Sequence, residues 1–381
     1  MVATDGTVLT HITPRFPPQI DGLGDYSLLM AEHLRQSFGM ESRFIVGDPG
    51  WSLSGNTSQS PIDAKAVPGR SASALLGLLG DAETVVLHYV PYGYHPRGVP
   101  FWINRAFRRW KRAKPGRRLI VVFHEVWASG PPWKSEFYLS LVQRRLVAEL
   151  HRLSDGAMTS VAVMVRMLDS IQPGKTRLVP IPSAFPQMTA PDERAFHREG
   201  PVRVVAFGQE ASRHLGIQMH EKLLRALHAD GLLAGVDAVG KGADDSGTPS
   251  SDVRLLRSFL PAPLIRAYRD VTPAHGAELL RKADLFLSYY PSHLLCKSSA
   301  LTAALASGCI PLLTEGKEAE PLVDGTNILA CDGTSEQIRR ITGMIRGGQL
   351  GSIGEAGWRW YDRHASWPVA AGEMASLIGN R

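Results

Sequence analysis

Residues 119–125 read Leu-Ile-Val-Val-Phe-His-Glu. The apolar run Leu119–Phe123 predicts a strand buried on both faces, which is typical of the centre of a parallel sheet. His124 and Glu125 follow at once, and the carboxyl ends of parallel strands border the ligand crevice of such sheets. A histidine there can bond a ligand hydroxyl or transfer a proton. We expect His124 and Glu125 at a functional site; the alternative is a His–Glu pair that orients the next loop.

Strand-like and helix-like segments alternate on both sides of this run. In the first half, the strand-like Thr7–Thr13 precedes a helical pattern over Tyr26–Phe38. After a segment rich in proline and polar residues, the alternation restarts at Val202–Phe207. This pattern predicts an α/β protein with two doubly wound, Rossmann-like domains that face a central cleft. We expect them at 1–185 and 201–350, with a linker at 186–200. A helical tail at 351–381 is expected to pack back toward the first domain.

The bulk properties favour two globular domains in the cytoplasm. The chain has 381 residues, more than one hydrophobic core usually serves. Apolar residues make up 44% and charged residues 20%, with no apolar run long enough to span a bilayer. No signal peptide is visible at the start. The three cysteines lie far apart without metal-ligand spacing, which fits a reducing compartment.

All of the excess positive charge lies in the first half of the chain. Residues 1–185 contain 21 Lys and Arg against 14 Asp and Glu, whereas the remainder contains 21 against 22. The segment Arg105–Arg118 has eight basic residues and no acid, interleaved with aromatic residues. One interpretation is an interfacial helix at an anionic membrane, peripheral on its inner face. The alternatives are nucleic-acid binding, which the second half does not favour, and a solvated basic face. The expected membrane or acceptor residues are Arg105, Arg108, Arg109, Trp110 and Arg112.

Two glycines, Gly22 and Gly24, precede the first helical pattern. Glycines at a helix start let backbone N–H groups approach a phosphate, whose charge the helix N-terminus favours. We therefore expect Gly22 and Gly24 in a phosphate-binding loop; the alternative is a flexible loop with an aspartate cap.

Two motifs in the second half of the chain also have groups that can bind a phosphate. Lys297, Ser298 and Ser299 open an alanine-rich helix, and a lysine, two hydroxyls and helical N–H groups suit a diphosphate. The alternative is an ordinary serine cap beside a solvated lysine. Gly208 follows the strand Val202–Phe207, and Arg213 comes soon after it. Arg213 is expected either to reach a phosphate or to lie on a surface loop.

In order and spacing, these motifs resemble the retaining nucleotide-sugar glycosyltransferases of family 4 (glycosyltransferase group 1), which have the GT-B fold. The resemblance covers nearly the whole chain and implies that 1–185 is the acceptor-side domain and 201–350 the nucleotide-sugar donor domain. The stretches ADLFLSYYPS (283–292) and ALASGCIP (304–311) are similar to the family's donor-domain segment, and Glu320–Asn327 to the segment that follows. The resemblance implies that His124 contacts the donor sugar and that Gly22 and Gly24 lie near the donor phosphates.

The chain departs from the family at two positions. The family usually carries two glutamates eight positions apart, and Leu295 and Ala303 stand there instead. The resemblance still implies a retaining, metal-independent, hexosyltransferase-like enzyme with a nucleotide-diphosphate sugar as co-substrate, no other cofactor, and a glycan or lipid-linked acceptor. His124, Lys297 and Arg213 are its expected catalytic residues. Donor contacts are expected from Gly22, Gly24, Glu125, Gly208, Ser298, Ser299 and Glu320. The alternatives are an inactive GT-B binding protein and a nucleotide-sugar epimerase.

Overall fold

The computed structural model describes residues 7–19, 22–52, 63–128, 135–183, 200–240, 249–315 and 321–379, with the single positions 185, 191 and 196. The chain divides into two compact units. The first comprises Met1–Pro180 and Trp367–Arg381, and the second Ile181–Ser366. Most of the expected linker, 186–200, and the expected donor residue Glu320 lie outside the described residues.

The first unit is built on a parallel sheet of seven strands. In chain order these are β1 (Val8–Thr13), β2 (Glu41–Val46), β3 (Ala64–Ala66), β4 (Thr84–Tyr89), β5 (Arg118–Phe123), β6 (Gly156–Thr159) and β7 (Thr176–Leu178). Their spatial order is β3-β2-β1-β4-β5-β6-β7, and every pairing is parallel. All six residues of β4 and the last five of β5 are buried. The apolar run at 119–123 is thus a central strand, as its composition predicts.

The first unit also contains helices. They are α1 (Gly22–Phe38), α2 (Ala72–Leu79), α3 (Pro91–Tyr94), α4 (Phe101–Ala113), α5 (Ser135–Leu153), α6 (Ala162–Asp169) and, from the end of the chain, α14 (Trp367–Gly379). Helix α1 packs against α14, and α4 packs against both α2 and α5. The sequence predicts a first helix from Tyr26, but α1 begins four residues earlier at Gly22.

The second unit contains a parallel sheet of six strands. These are β8 (Val202–Phe207), β9 (Leu233–Val239), β10 (Ile265–Tyr268), β11 (Leu285–Leu287), β12 (Ile310–Leu313) and β13 (Leu329–Ala330). Their order is β10-β9-β8-β11-β12-β13. The helices are α7 (Glu210–Met219), α8 (Glu221–Ala229), α9 (Ser251–Arg257), α10 (Pro273–Lys282), α11 (Ser299–Ala306), α12 (Ser335–Arg346) and α13 (Leu350–His364). Leucine, isoleucine and valine side chains from the strands, α7, α8 and α12 form its core.

In each sheet the strand order reverses at one point, between β1 and β4 in the first unit and between β8 and β11 in the second. Open α/β sheets bind their ligands beyond the carboxyl ends of the strands at such a reversal. The two sheets confirm the predicted pair of doubly wound α/β domains. The residues that follow β1, β4 and β5, and those that follow β8 and β11, are therefore the places to look for a site.

Candidate functional site

Three buried histidines cross the reversal point of the first sheet. His11 lies in β1, His88 in β4, and His124 directly after β5, with exposures of 0%, 0% and 4%. His11 Nδ1 lies 3.2 Å from His88 Nε2, and His88 Nδ1 lies 3.3 Å from His124 Nε2. The three rings therefore form one hydrogen-bonded row, which we call the histidine chain.

The strand register explains this row. His11 pairs with Val86, and His88 pairs with Val122, so each histidine is two residues beyond the partner of the previous one. In-register neighbours of a parallel pair point to the same face, as do residues two apart in one strand. All three side chains accordingly lie on one face of the sheet, on a diagonal that runs toward the carboxyl edge.

Aromatic residues cover the histidine chain. The Tyr26 ring in α1 meets the rings of His88 and His124 edge-on, with centroids 5.7 and 5.1 Å apart. Trp367, the first residue of α14, lies 5.5 Å from Tyr26. Burial lowers the pKa of His11 to about 3. Burial, and then the neighbouring histidines, lower the pKa of His88 well below its ordinary value, so both rings are neutral near pH 7.

Tyr94 holds the two strands at the reversal point together. Its hydroxyl lies 3.0 Å from the His88 carbonyl oxygen and 3.2 Å from that of Ile12. The backbone N–H of His124 donates to the carbonyl oxygen of Tyr89 at 3.1 Å. These bonds set the position at which His124 leaves the sheet, and the half-buried Glu125 follows it.

The two expected phosphate-binding glycines lie in the first turn of α1. Gly22 is exposed, and a Cβ there would meet nothing within 4 Å. Gly24 is buried, and a Cβ would lie 3.0 Å from both the Arg15 carbonyl oxygen and the Phe16 Cα. Gly24 thus lets the start of α1 pack closely on the segment that follows β1. Tyr26 comes two residues after Gly24, and its ring contacts that of His124. The structure therefore brings the start of α1 and His124 together.

The basic segment begins within helix α4, whose aromatic residues other than Phe101 face the core. Trp110 is 1% exposed and Trp102 is 9% exposed. The expectation that Trp110 faces a membrane or an acceptor is wrong, because the helical period turns the aromatic residues toward α2 and α5 and the arginines outward. Arg108 pairs with Glu149 of α5. The other expected residues of this group are exposed: Arg105, Arg109 and Arg112.

In the second unit, Gly208 and Gly240 form a tight pair of turns after β8 and β9. Their φ angles are +129° and +141°, in the region that favours glycine. The Gly208 carbonyl oxygen accepts a hydrogen bond from Arg213 Nη1 at 2.6 Å. Arg213 therefore holds the turn that begins at Gly208.

Arg213 is a buried residue of α7 and does not lie on a surface loop. It is 3% exposed, and its Nε lies 2.5 Å from Oδ2 of the fully buried Asp252. Burial would raise the pKa of the Asp252 carboxyl, but hydrogen bonds from Arg213 and Ser250 and the arginine charge lower it below its ordinary value. The structure places Arg213 where it supports the Gly208 turn.

Lys297, Ser298 and Ser299 lie after β11, at the carboxyl edge of the second sheet. Lys297 is half-buried and ends a 3-10 turn, Ser292–Lys297. The Ser298 hydroxyl caps α11 by accepting the Leu301 N–H at 3.2 Å, and Ser299 is the first helical residue. This confirms a serine-capped helix with a lysine directly before it.

The two positions at which the resembling family carries glutamates are buried and apolar here. Leu295 is 1% exposed and Ala303 is 0% exposed. The neighbouring Cys296 is 3% exposed, and burial raises the pKa of its thiol to about 12, as expected of an inert buried cysteine.

Within the described ranges, no group of three or more His, Cys, Asp or Glu residues is arranged to hold a metal ion. No helix of the described chain is both long and apolar enough to cross a bilayer. The sequence analysis overlooked His11, His88 and Tyr26. A signal was present for the first two, because a histidine inside an otherwise apolar strand is uncommon unless it has a partner.

Comparisons with known proteins identify the fold. Neither a family model nor a curated protein sequence matches the chain. Among solved structures, sucrose-phosphate synthase from Thermosynechococcus elongatus is 14% identical, with 98% of each chain covered and a TM-score of 0.63. The pneumococcal O-GlcNAc transferase GtfA, in complex with UDP and GlcNAc, is 9% identical, with 98% of each chain covered and a TM-score of 0.61.

A third structure has a different activity in its description. It is a putative UDP-N-acetylglucosamine 2-epimerase from Listeria monocytogenes, 10% identical, covering 97% of this chain and 95% of its own, with a TM-score of 0.60. The chain thus has the GT-B fold, as the resemblance implied. GT-B glycosyltransferases and an epimerase-like protein share this architecture.

Proposed function

We propose that this protein is a glycosyltransferase that moves a sugar from a nucleotide-diphosphate donor to a hydroxyl acceptor. The observation that supports this most is the position of polar residues at the carboxyl edges of both sheets in a GT-B fold. His124 follows β5, the strand next to the reversal point of the first sheet, and Lys297 comes after β11, which borders the reversal point of the second. Solved proteins of this fold include glycosyltransferases, one of them with UDP and GlcNAc bound.

Lys297 has the chemistry to stabilise the leaving group. As the bond between the sugar C1 and the diphosphate breaks, negative charge grows on the departing phosphate. The Lys297 ammonium and the first-turn N–H groups of α11 stabilise this charge more in the transition state than in the ground state. The acceptor oxygen bonds to C1, and its proton passes to the departing phosphate, with retention of configuration and without a metal ion. His124 positions the transferred sugar.

A panel of nucleotide sugars tests this proposal. A ligand that binds the native state raises the melting temperature, so the donor should be the compound with the largest shift. His124→Ala and Lys297→Ala should each reduce that shift, whereas Lys282→Ala, a change at an exposed lysine of the same unit, should not. Absence of any shift across the panel would contradict the proposal.

Two other functions make different predictions. The fold shared with a putative 2-epimerase favours a nucleotide-sugar epimerase as the second candidate. An epimerase changes the sugar of the donor without an acceptor, whereas a transferase releases the nucleotide only when an acceptor or water takes the sugar. The apolar residues at Leu295 and Ala303 favour an inactive binding protein, which would bind a nucleotide sugar and leave it intact.

The exposed side of α4 and α5 suits an acceptor at an anionic membrane, and we include this in the proposal. Arg105, Arg109 and Arg112 repeat at helical spacing on the outer side of α4. Large apolar side chains are exposed at the starts of the same two helices; these are Phe101, Tyr138, Leu141 and Val142. Basic residues beside exposed apolar ones bind anionic headgroups and the acyl boundary.

Vesicle flotation separates this membrane surface from a merely solvated basic face. Charge reversal at Arg105, Arg109 and Arg112 should abolish flotation with vesicles that contain phosphatidylserine. The matched control reverses Arg257, Arg269 and Arg363, three exposed arginines of the second unit, and should float like the unchanged protein. Equal flotation with neutral and anionic vesicles would contradict the role of the arginines.

A further inference from the structure

The positions of the protons in the histidine chain follow from the number of protons and the number of N···N contacts. Each neutral imidazole carries one proton, which either ring nitrogen can hold. Each N···N contact needs one proton, since two protons repel and none leaves two lone pairs opposed. The proton position on His88 therefore determines the proton positions on His11 and His124. Only two arrangements satisfy both contacts: all three rings carry the proton on Nδ1, or all three carry it on Nε2.

The inner end of the chain distinguishes the two arrangements. His11 Nε2 is buried and has no hydrogen-bond partner among the described residues. In the Nε2–H arrangement this atom would be a buried donor without an acceptor, and such orphan donors are rarer in proteins than orphan acceptors. The adjacent Phe44 ring is tilted by only 33° from the His11 ring, with centroids 5.3 Å apart. An N–H in the plane of His11 therefore does not point at the π face of Phe44.

We infer that His11 and His88 are positioning residues that hold His124 as the neutral Nδ1–H tautomer. Because His124 Nε2 accepts from His88, Nδ1 is the ring nitrogen through which His124 donates any further hydrogen bond. A fixed donor can bond a hydroxyl oxygen or a carbonyl oxygen of a sugar. The link to the sugar rests on the proposed function, whereas the tautomer itself does not.

Burial keeps the chain neutral, as the proton count requires. The low pKa values of His11 and His88 follow mainly from desolvation, to which the neighbouring histidines add for His88, and no carboxylate of the described residues acts on either of these two rings. The aromatic rings beside these two histidines are Phe44 on β2 and Tyr26 on α1. Since the inner nitrogen of His11 meets no described partner, the row ends inside the unit. The row is therefore suited to fixing the orientation of His124.

Nitrogen-15 NMR of the full chain with labelled histidine tests the tautomer without any assay of activity. Imidazole in water prefers the Nε2–H form, so three Nδ1–H rings would be a distinctive signature. The signals are assigned by their loss in His11→Phe, His88→Asn and His124→Gln. We expect Nδ1–H for all three rings near pH 7. An Nε2–H or doubly protonated His124 would overturn the inference.

Two variants of His88 separate positioning from general stability. In His88→Asn, the amide N–H can replace Nδ1–H as the donor to His124, whereas His88→Leu removes the donor. We expect His124 to remain Nδ1–H in the first and to change toward Nε2–H in the second. If His88→Leu does not fold, His11→Phe breaks the chain at its far end and should give mixed tautomers at His124. Unchanged Nδ1–H at His124 in His88→Leu or in His11→Phe would overturn the inference.

Donor kinetics complete the test. His88→Leu should raise the donor KM about tenfold, by analogy with the loss of residues that orient metal-binding histidines. His88→Asn should restore it. If His124 is Nδ1–H but the protein turns over no donor, the proposed function is refuted and the tautomer stands. If the protein turns over donor but His124 is Nε2–H, the inferred tautomer is refuted and the proposed function stands.

Discussion

A Cβ added to Gly240 would lie 2.0 Å from the carbonyl oxygen of Gly208. The same Cβ would lie 2.9 Å from Nη1 of Arg213, which donates to that oxygen. Glycine at position 240 therefore allows the turns after β8 and β9 to approach until one arginine holds the Gly208 carbonyl. The edge of the second sheet depends on this approach.

Gly240→Ala should destabilise the second unit strongly. The substitution combines a steric clash with a φ of +141°, so we expect a loss of about 3 kcal/mol or more in the free energy of unfolding. Gly343→Ala is the control, since Gly343 lies in α12 with nothing within 4 Å. Denaturant unfolding measures both, and the control should be neutral or more stable by up to about 1 kcal/mol. Equal stability of the two variants would contradict the described turn geometry.

Arg213→Ala should also be costly, because it leaves the Asp252 carboxylate buried without its cation. Removal of one partner of a buried ion pair costs about 3–5 kcal/mol. The double variant Arg213→Met with Asp252→Leu removes both charges and should recover most of that loss in denaturant unfolding. A single variant as stable as the unchanged protein would show that the pair does not support the Gly208 turn.

Gly24→Ala and Gly22→Ala form a matched pair in the first turn of α1. A methyl group at position 24 has to displace the segment at Arg15 and Phe16, and we expect a loss of about 1–3 kcal/mol. At position 22 the methyl group meets nothing within 4 Å, so stability should hardly change. Thermal unfolding of both variants checks this. A larger loss of stability in Gly22→Ala than in Gly24→Ala would exclude close packing at Gly24.

Lys297→Ala should reduce turnover of the donor and leave the fold intact. Loss of one preorganised stabilising group costs about 100-fold in kcat. The control Lys282→Ala changes an exposed lysine that pairs with Glu278 on the same helix, and it should keep full activity. Circular dichroism verifies folding of both variants. Unchanged kcat in Lys297→Ala would exclude its role at the leaving phosphate.

His11 should make the protein less stable in acid. Its pKa is about 3 in the folded state and near 6.5 when unfolded, so the unfolded chain binds the extra proton first. Its neutral form supports full stability above pH 6.5, and stability falls as the pH decreases toward 3. From pH 7 to pH 5 the loss should be about 2 kcal/mol.

Unfolding of His11→Phe at the same two pH values tests this assignment. This variant should show a smaller change between pH 7 and pH 5 than the unchanged protein. His228→Gln, a change at an exposed histidine, should keep the full change. Identical pH dependence in all three proteins would assign the effect to other groups.

The sequence predicted those strands and helix starts that depend only on residues close to one another in the chain. The apolar run before His124 indicated a central strand, and Lys297 with Ser298 indicated a capped helix start; both are present. The helix α1 began earlier than predicted, because Gly22 and Gly24 are compatible with a helix when the turn packs against Phe16.

Relationships across long sequence distances were not predictable in this way. His11 and His88 are 77 residues apart and meet only because β1 and β4 are neighbours in the sheet. The sequence left Arg213 open between a phosphate contact and a surface loop, because its buried partner, Asp252, comes 39 positions later. The inward side of α4 was misjudged, since composition alone does not show which helices cover its aromatic residues.

The final helix has a consequence for how the protein is made. Trp367 contacts Tyr26, and the Leu377 carbonyl oxygen accepts a bond from Arg118, so the helix at 367–379 completes the unit that begins the chain. A ribosome has therefore translated the entire intervening unit before this last piece can dock. A nascent chain released after residue 180 lacks that cover over Tyr26, so the unit that contains β1–β7 can be completed only after residues 181–366 have been synthesised.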